Sequence, residues 1–416
     1  MSADATTVGS ITGTGSGKSN LATISLIIGI VGLVLAGLGM AMGVSGHDVR
    51  PTIGVLIMFC FYLSIGIGML MLVILHHLFG SGWSTVHRRQ LEHGISVFPW
   101  LFLIFLPFLV ITQIDNGFIW HWLDSHARDT DILLQKKEWW LSPGFFYGRV
   151  ALFFGIWIVV SHFLRKWSFA QDADGDPKWS RRMAKLAAAG VVLTALSLTG
   201  AAIDWIKSIE AHWFSTMYGV WFFAASMRAA LAVITLLCLY GVYKNGPLTG
   251  LFKRGHLYDL GCLMLAFTIF WAYISFSQYF LIYNANIPEE TFWYVMREAG
   301  NWKFVGFALI FFHFFFPFLF LLFYGNKVKP LPMIFISVWI LSFHLLDLYF
   351  NILPSIRMGD RGLYAPVSFS IHWVDVVAFF GIGGIFLWSY LRSRAKAKII
   401  PIKDPRILES LNHHGR

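Results

Sequence analysis

Residues 53–78 read IGVLIMFCFYLSIGIGMLMLVILHHL, a run with no lysine, arginine, aspartate or glutamate and with His76 and His77 at its far end. About 20 helical residues cross a bilayer core about 30 Å thick, so this run is long enough to span one. Further runs of that kind lie at about 22–44, 94–114, 145–164, 186–205, 214–241, 257–283, 304–324, 331–352 and 372–391. Together they predict an all-α integral membrane protein with ten transmembrane helices. Composition points the same way. Of 416 residues, 57% are hydrophobic and 13% are charged, about half the charged share of a soluble domain, and the mean hydropathy is +0.64. There is too little polar surface here to cover a soluble core.

An even number of spans puts both ends of the chain on one side. Of the 32 lysines and arginines, 21 fall on that side and 9 on the other, with Arg149 and Arg228 inside spans. The excess predicts cytoplasmic termini in a bacterial inner membrane. Residues 1–20 read as a flexible cytoplasmic tail rather than a signal peptide, because no positive region leads them. Their Gly15-Ser16-Gly17-Lys18-Ser19 is not a phosphate loop, since Thr12 stands where glycine is needed. The ten-helix membrane domain is read as 21–392, and 393–416 as a basic, irregular cytoplasmic tail.

The three cysteines, Cys60, Cys238 and Cys262, are isolated in apolar runs. That excludes thiolate-held clusters, attached c-type haem and a disulfide framework. Bis-histidine haem needs two inward histidines at one depth, and His313 and His344 sit a turn or two apart. The reading is therefore a chain with no covalently bound cofactor, no metal site and no electron carrier of its own.

An ionisable side chain inside a bilayer is costly and marks a functional hypothesis with a partner to be named. His76, His77, His162 and Asp259 fall near the terminus-side ends, where the first two read as interfacial. Arg228 and His313 fall near mid-depth. Asp115, Arg149, Asp204, His344, Asp347, His372 and Asp375 fall towards the opposite face. Arg228 is too deep to reach water easily and must find an acceptor inside the bundle. His313 lies in a run of phenylalanines, where a satisfied core histidine competes with a functional one. His344/Asp347 and His372/Asp375 share a spacing of three, so each pair occupies one helical face. A carboxylate beside an imidazole can orient it for proton transfer, or the two can merely satisfy each other. Arg228, His313, His344, Asp347, His372 and Asp375 are the candidate proton path, with His76 and His77 at its far end.

Two loops on the side opposite the termini look built rather than merely connecting. Residues 115–144 carry Trp120, Trp122, Trp139 and Trp140, as expected of an interfacial or partner-contacting segment. Within 284–303, Pro288-Glu289-Glu290 precedes Arg297 and Gly300, the signature of a short capped helix on the membrane surface.

Four stretches carry a family resemblance. They are residues 204–219 (DWIKSIEAHWFSTMYG), 270–279 (FWAYISFSQY) continuing through 283–291 (YNANIPEET), 140–149 (WLSPGFFYGR), and His76-His77 before Gly82-Trp83. Across about 53–390 the chain resembles the F subunit of bacterial alternative complex III, a quinol:cytochrome c oxidoreductase, within the polysulfide-reductase membrane-subunit superfamily. The resemblance implies two four-helix bundles, about 53–205 and 214–352, with the first and last helices outside them. It implies a sister ten-helix membrane subunit, a periplasmic iron–sulfur subunit and c-type cytochrome subunits as partners, with haem and iron–sulfur clusters held by those partners. It also implies a proton-conducting role and menaquinol or quinone as the candidate ligand, best placed here at Asp115, Tyr147 and Arg149. A secondary transporter is the competing class, which broken helices and related halves would favour, though proline interruptions within spans are few, at Pro99, Pro107 and Pro317; a purely structural scaffold is the third.

Overall fold

A computed structural model describes residues 20–356 and 366–413. The readings made of residues 1–19, of Arg357 and Arg361 and of the last residues of the tail lie outside the described residues. Within them the chain is an all-α integral membrane protein with ten helical segments long and apolar enough to cross a bilayer. They are α1 (Asn20–Ser45), α2 (Arg50–Leu78), α3 (Thr85–Ile114), α4 (Pro143–Asp174) and α5 (Pro177–Glu210). Then come α6 (Tyr218–Asn245), α7 (Arg254–Ala285), α8 (Trp302–Leu322), α9 (Pro330–Ser355) and α10 (Trp373–Arg394).

Burial separates the central helices from the peripheral ones. The most apolar window of α2 is 94% buried and that of α6 78%, against 22% for α1. α2 and α6 pack on each other at the centre. Around α2 gather α3, α4 and α5; around α6 gather α7, α8 and α9; α1 and α10 pair outside and lie along α2. α1 meets α10 with almost no space between backbones. A Cβ on Gly32 would lie 2.5 Å from the Gly381 Cα, so only glycine permits this approach.

Several helices outrun their apolar stretches, and local chemistry says why. α4 stops at Gly175, whose φ of +72° supplies the left-handed cap. Asp176 then caps α5 by accepting the Lys178 N–H at 2.7 Å, with Pro177 in the first turn. The 284–303 segment forms the expected helix, Pro288–Glu298, entered through left-handed Asn286. It is no freely exposed element, because Phe292, Trp293, Met296 and Arg297 are buried against the bundle.

The terminus-side end departs most from the sequence reading. Polar residues 85–93 read as a connector, yet they form the first turns of α3, with Arg88, Arg89, Glu92 and His93 wholly buried. What covers them is the tail. Residues 395–413 fold back instead of running free, with Ile399, Ile400, Asp404, Ile407 and Leu411 buried and a short helix at Ile407–Leu411. Arg88 donates to Glu92 at 2.9 Å and to Asp404 at 2.8 Å, and Arg89 donates to Asp172 at 2.7 Å. Gln90 donates to the Ile399 carbonyl and accepts from the Tyr390 hydroxyl. His76 and His77, expected at an interface, are buried beneath this cover.

Burial acts to raise the Asp404 carboxyl, but Arg88 and Arg406 outweigh it and hold it well below the usual carboxylate range. A depressed carboxylate stabilises fully above the unfolded value of about 3.9, and that contribution is lost as pH falls towards the folded value. The docked tail should therefore resist protease at neutral pH and loosen only below about pH 4. Asp404→Asn, which leaves Arg88 with Glu92 as its one carboxylate, should cost about 1.5–3 kcal/mol and expose 395–413 to limited proteolysis at pH 7. A tail cut no faster in the variant would show that the ion pair does not hold it.

Candidate functional site

The site is assembled from α6, α7, α8 and α9, around an arginine that has to be satisfied inside the bundle. Arg228 lies ten residues beyond Tyr218, about 15 Å along α6, and is 1% exposed. Its acceptors come from α8. Nη1 donates to His313 Nε2 at 3.0 Å and Nη2 donates to the His313 carbonyl at 2.5 Å. That carbonyl is available because Pro317, four residues on, has no N–H to offer it; residues Leu309–Phe315 before it form a π-helical turn, a distortion that turns up often at functional sites. The neighbouring Phe312 carbonyl accepts from Trp339 Nε1 at 2.7 Å. An arginine always has its protons, so the bonded Nε2 is an acceptor and neutral His313 carries its proton on Nδ1, which has no partner.

Asp347 is the carboxylate of the site. Its Oδ2 accepts from Trp271 Nε1 at 2.9 Å and Trp221 Nε1 at 3.2 Å, and its Oδ1 accepts from Asn351 Nδ2 at 3.0 Å. Trp271 also sets its ring edge-on to His313, with centroids 4.4 Å apart, so one indole joins the carboxylate to the arginine–histidine pair. Three donors leave Oδ1 with an acceptor position unfilled.

His344 shares a helical face with Asp347 but bonds elsewhere. Its Nε2 meets Ser64 Oγ on α2 at 2.8 Å, and Ser64 already donates to the Phe61 carbonyl at 2.7 Å. The imidazole must then be the donor, leaving Nδ1 as a buried acceptor without a partner. Around Arg228 and Asp347, His313 thus carries a ring donor and His344 a ring acceptor that are not hydrogen-bonded.

Asp347 also lines a cavity of about 770 Å³ bounded by α6, α7, α8, α9 and the Pro288–Glu298 helix. Tryptophans 221, 271 and 293 wall its inner part, and Ser275, Gln278 and Tyr294 add polar atoms. Arg297 forms its floor, with every bonded donor used on the protein: Trp293, Phe350 and Asn351 carbonyls and the Ser355 hydroxyl. Burial pulls this guanidinium down to about 9, so it stays charged at neutral pH.

The remaining sequence-predicted residues lie apart from this group. Asp375 accepts both Arg50 Nη1 at 3.0 Å and Nη2 at 2.6 Å, and also the Tyr349 hydroxyl and the His372 N–H. With His372 accepting the Val374 N–H at 3.3 Å, the pair is a capping box that starts α10. Arg149 is bound to Asp204 at 2.5 Å and to the Trp140 carbonyl, and lies over the Trp140 and Phe145 rings. Tyr147 bonds Thr112 and Gln113, and Asp115 sits half-buried 4.0 Å from His47. Asp115, Tyr147 and Arg149, placed by sequence as the quinol site, do not line the cavity, which belongs to the second bundle. His76 stands in a row of rings, edge-on or tilted to one another, with His87, His256 and His413. His413 also meets Asp259 at 2.5 Å, and His162 is exposed on α4. Sequence reasoning passed over Trp221, Trp271, Ser64 and Asn351, and buried indoles carry no marker of what their N–H will meet. Trp120 and Trp122, expected to face a partner, turn inward onto Phe146; Trp139 is the one that faces out.

Among the described residues no group of three or more His, Cys, Asp or Glu side chains is arranged to hold a metal ion. Compared with known proteins, the chain matches no family model and no curated protein.

Replacing Arg228 by methionine leaves the His313 carbonyl without its donor, which should cost about 1–3 kcal/mol and lower the midpoint of thermal unfolding in detergent. Arg228→Lys restores one bond and should recover part of the loss. Equal stability of all three proteins would mean that the arginine does not hold the π turn.

Proposed function

We propose that this chain is a membrane subunit of a bacterial respiratory quinol:electron-acceptor oxidoreductase of the alternative complex III kind, and that it moves protons rather than electrons. It works beside a sister ten-helix subunit, with iron–sulfur and c-type cytochrome subunits on the periplasmic side, and both its termini are cytoplasmic. The resembling stretches support the kind of complex. The observation that carries the proton role is Asp347, a carboxylate wholly inside the second bundle, with one acceptor position open and Trp271 linking it to Arg228 and His313.

In this reading Asp347 takes a proton on Oδ1, on the side of the cavity. His344 Nδ1 is the next acceptor in the same core. Arg228 cannot release a proton, so its fixed charge acts as a barrier that keeps a proton from running through. Towards the terminus side the side chains thin out. From Ser64 to His76 on α2 is about 18 Å of apolar side chains, and hydroxyls beside it come from Thr235 on α6 and Ser337 on α9. Thr235 donates to the Leu231 carbonyl at 2.8 Å, whereas Ser337 Oγ is buried without a partner. Each stands seven residues, two turns, from Arg228 and His344 respectively, on the same faces.

Purification from native membranes should bring down iron–sulfur and c-type cytochrome subunits with this chain. In the assembled complex, Asp347→Asn and His344→Ala should leave subunit composition intact and lower turnover or the proton-to-electron ratio in proteoliposomes. Loss of a positioned proton carrier costs about 10²–10⁴-fold in the step that needs it. Assembly with unchanged turnover and unchanged ratio in both variants would sink the proton role, and a chain that purifies alone would sink the complex.

A further inference from the structure

We propose that an anionic phospholipid binds on the terminus side of the protein, its phosphate held between α4 and α10 where they flank the start of α3. The groups involved belong to the first bundle and the outer helix pair, apart from Asp347 and its cavity.

The apolar runs of these three spans stop at one level. That of α3 begins at Gly94, that of α4 ends at Leu164 and that of α10 ends at Leu391; the next residues outward are His93, Arg165 and Arg392-Ser393-Arg394. The structure joins them there. Ser393 Oγ is 2.8 Å from Arg165 Nη2 and 2.9 Å from His93 Nδ1. One turn deeper, Ser96 Oγ and Ser389 Oγ meet at 2.7 Å and hold α10 to α3. Hydrocarbon gives way to lipid headgroups at such a boundary, so cations placed here face phosphates.

The acids at this end are already taken. Glu92 is held by Arg88, Arg89 and Ser168, Asp172 by Arg89, and Asp404 by Arg88 and Arg406. Arg165 and Arg394 share in none of these pairs. No acid occurs between Asp375 and Asp404, a stretch that carries Arg392, Arg394, Lys396, Lys398 and Lys403. In both Arg165 and Arg394, Nε is buried without a partner, and the half-buried side chains present their Nη ends to the surface. Arg165 uses one Nη on Ser393. A guanidinium fork matches phosphate oxygens two at a time. The charges of Arg89, Arg165 and Arg394 also converge on His93, a crowding of cations that a bound phosphate relieves.

What favours a lipid over a free phosphate lies a turn deeper. Trp100 on α3 and Trp388 on α10 meet edge to face with centroids 4.8 Å apart, both half-buried. Arg392 lies over the Trp388 ring at 5.2 Å. Tryptophan at this depth sits where acyl chains meet headgroups, and Pro99 and Leu103 are exposed farther along α3. A phosphate on the arginines therefore sets its glycerol against two indoles and its chains along the side of α3. A zwitterionic head would bring its own ammonium into the same cluster of cations; a net negative head brings none.

The test is photolabelling with a phosphatidylglycerol that carries a diazirine near the head of one acyl chain. The full chain, purified from native membranes with the subunits that accompany it, is placed in phosphatidylcholine nanodiscs and the labelled peptides are mapped. Label should fall within 96–103 and 384–391 and saturate at a low mole fraction of probe. Unlabelled phosphatidylglycerol should displace it, and neither extra phosphatidylcholine nor millimolar inorganic phosphate should do so. Arg394→Gln should weaken the apparent affinity about fivefold, the worth of one cation beside an anionic lipid, and about 25-fold together with Arg165→Gln. Arg394→Lys keeps the charge and should recover most of the single loss. Arg392→Gln alters an exposed side chain, so it should lower the affinity about as much as Arg394→Gln without disturbing the packing. Label spread over all lipid-facing peptides without saturation, equal displacement by phosphatidylcholine, or an affinity unchanged in all the glutamine variants would overturn the site. Equal displacement by inorganic phosphate would overturn the lipid and leave a soluble anion as the ligand.

Discussion

A backbone carbonyl with no water to turn to organises much of this protein. Inside a bilayer each such group has to be satisfied by the chain itself, and two spans carry π-helical turns, at Ala202–Ile206 and Leu309–Phe315. Side chains meet the carbonyls of both. Trp120 Nε1 donates to the Trp205 carbonyl and Ser208 Oγ to that of Asp204; Trp339 Nε1 donates to the Phe312 carbonyl and Arg228 to that of His313. Each bundle also places an arginine and its acceptor at its π turn, Arg149 with the Asp204 carboxylate and Arg228 with neutral His313. The bonds that repair the helix are thus the ones that hold its ionisable groups in place.

That coupling explains why the second bundle can be both polar and well packed. Replacing Arg228 by an apolar residue would remove a buried charge and at the same time strand a carbonyl, so the arginine is tied to the fold whatever else it does. Asp347 differs. Its three donors are two indoles and an amide, none of them charged, so its place is fixed by hydrogen bonds and not by a neutralising partner. Asp375 and Asp204 each have an arginine within hydrogen-bond distance. A carboxylate held by neutral donors, on the wall of a cavity, is freer to change its protonation than one locked to a guanidinium. This contrast, and not the presence of acids as such, separates Asp347 from the structural pairs.

The ten spans were legible in the sequence because apolar length is a direct requirement of the bilayer, and Arg228 was legible as a group in need of an acceptor. Its acceptor was legible only in part: Pro317 marks the His313 carbonyl as lacking its helical donor, but nothing in a phenylalanine run announces the π turn before it. The His344/Asp347 spacing correctly put both on one face, but the inference that they bond each other fails for a physical reason. Residues three apart project side by side, and each is closer to the donors and acceptors of neighbouring helices, Ser64 for one and Trp221 and Trp271 for the other. The His372/Asp375 spacing was the same, and there the two residues are joined through backbone, as a cap. Hydropathy misjudged 85–93 because a scale scores residues without their cover, and the cover was a tail some 300 residues away in sequence, as in the bond from Gln90 to Ile399.

The two ends of α2 show how one buried helix serves both polar systems. At its start, Arg50 locks α2 to α10 through Asp375 and to the segment before α10 through the Ser370 carbonyl. At its end, His76 and His77 lie under the docked tail, where neither nitrogen of His77 is hydrogen-bonded and Nε2 stands 3.9 Å from the Glu92 carboxylate. Between them, Ser64 is the polar side chain that faces His344. A helix 94% buried over its apolar window cannot shift without moving all three, so any change in protonation near His344 acts on a rigid frame. If the proposed proton role holds, rigidity of this kind favours transfer by small rotations of hydroxyls and rings over movement of whole spans. The hydroxyls of Ser64, Thr235 and Ser337, set along the faces that carry His344 and Arg228, are the groups in this core that can turn without repacking it.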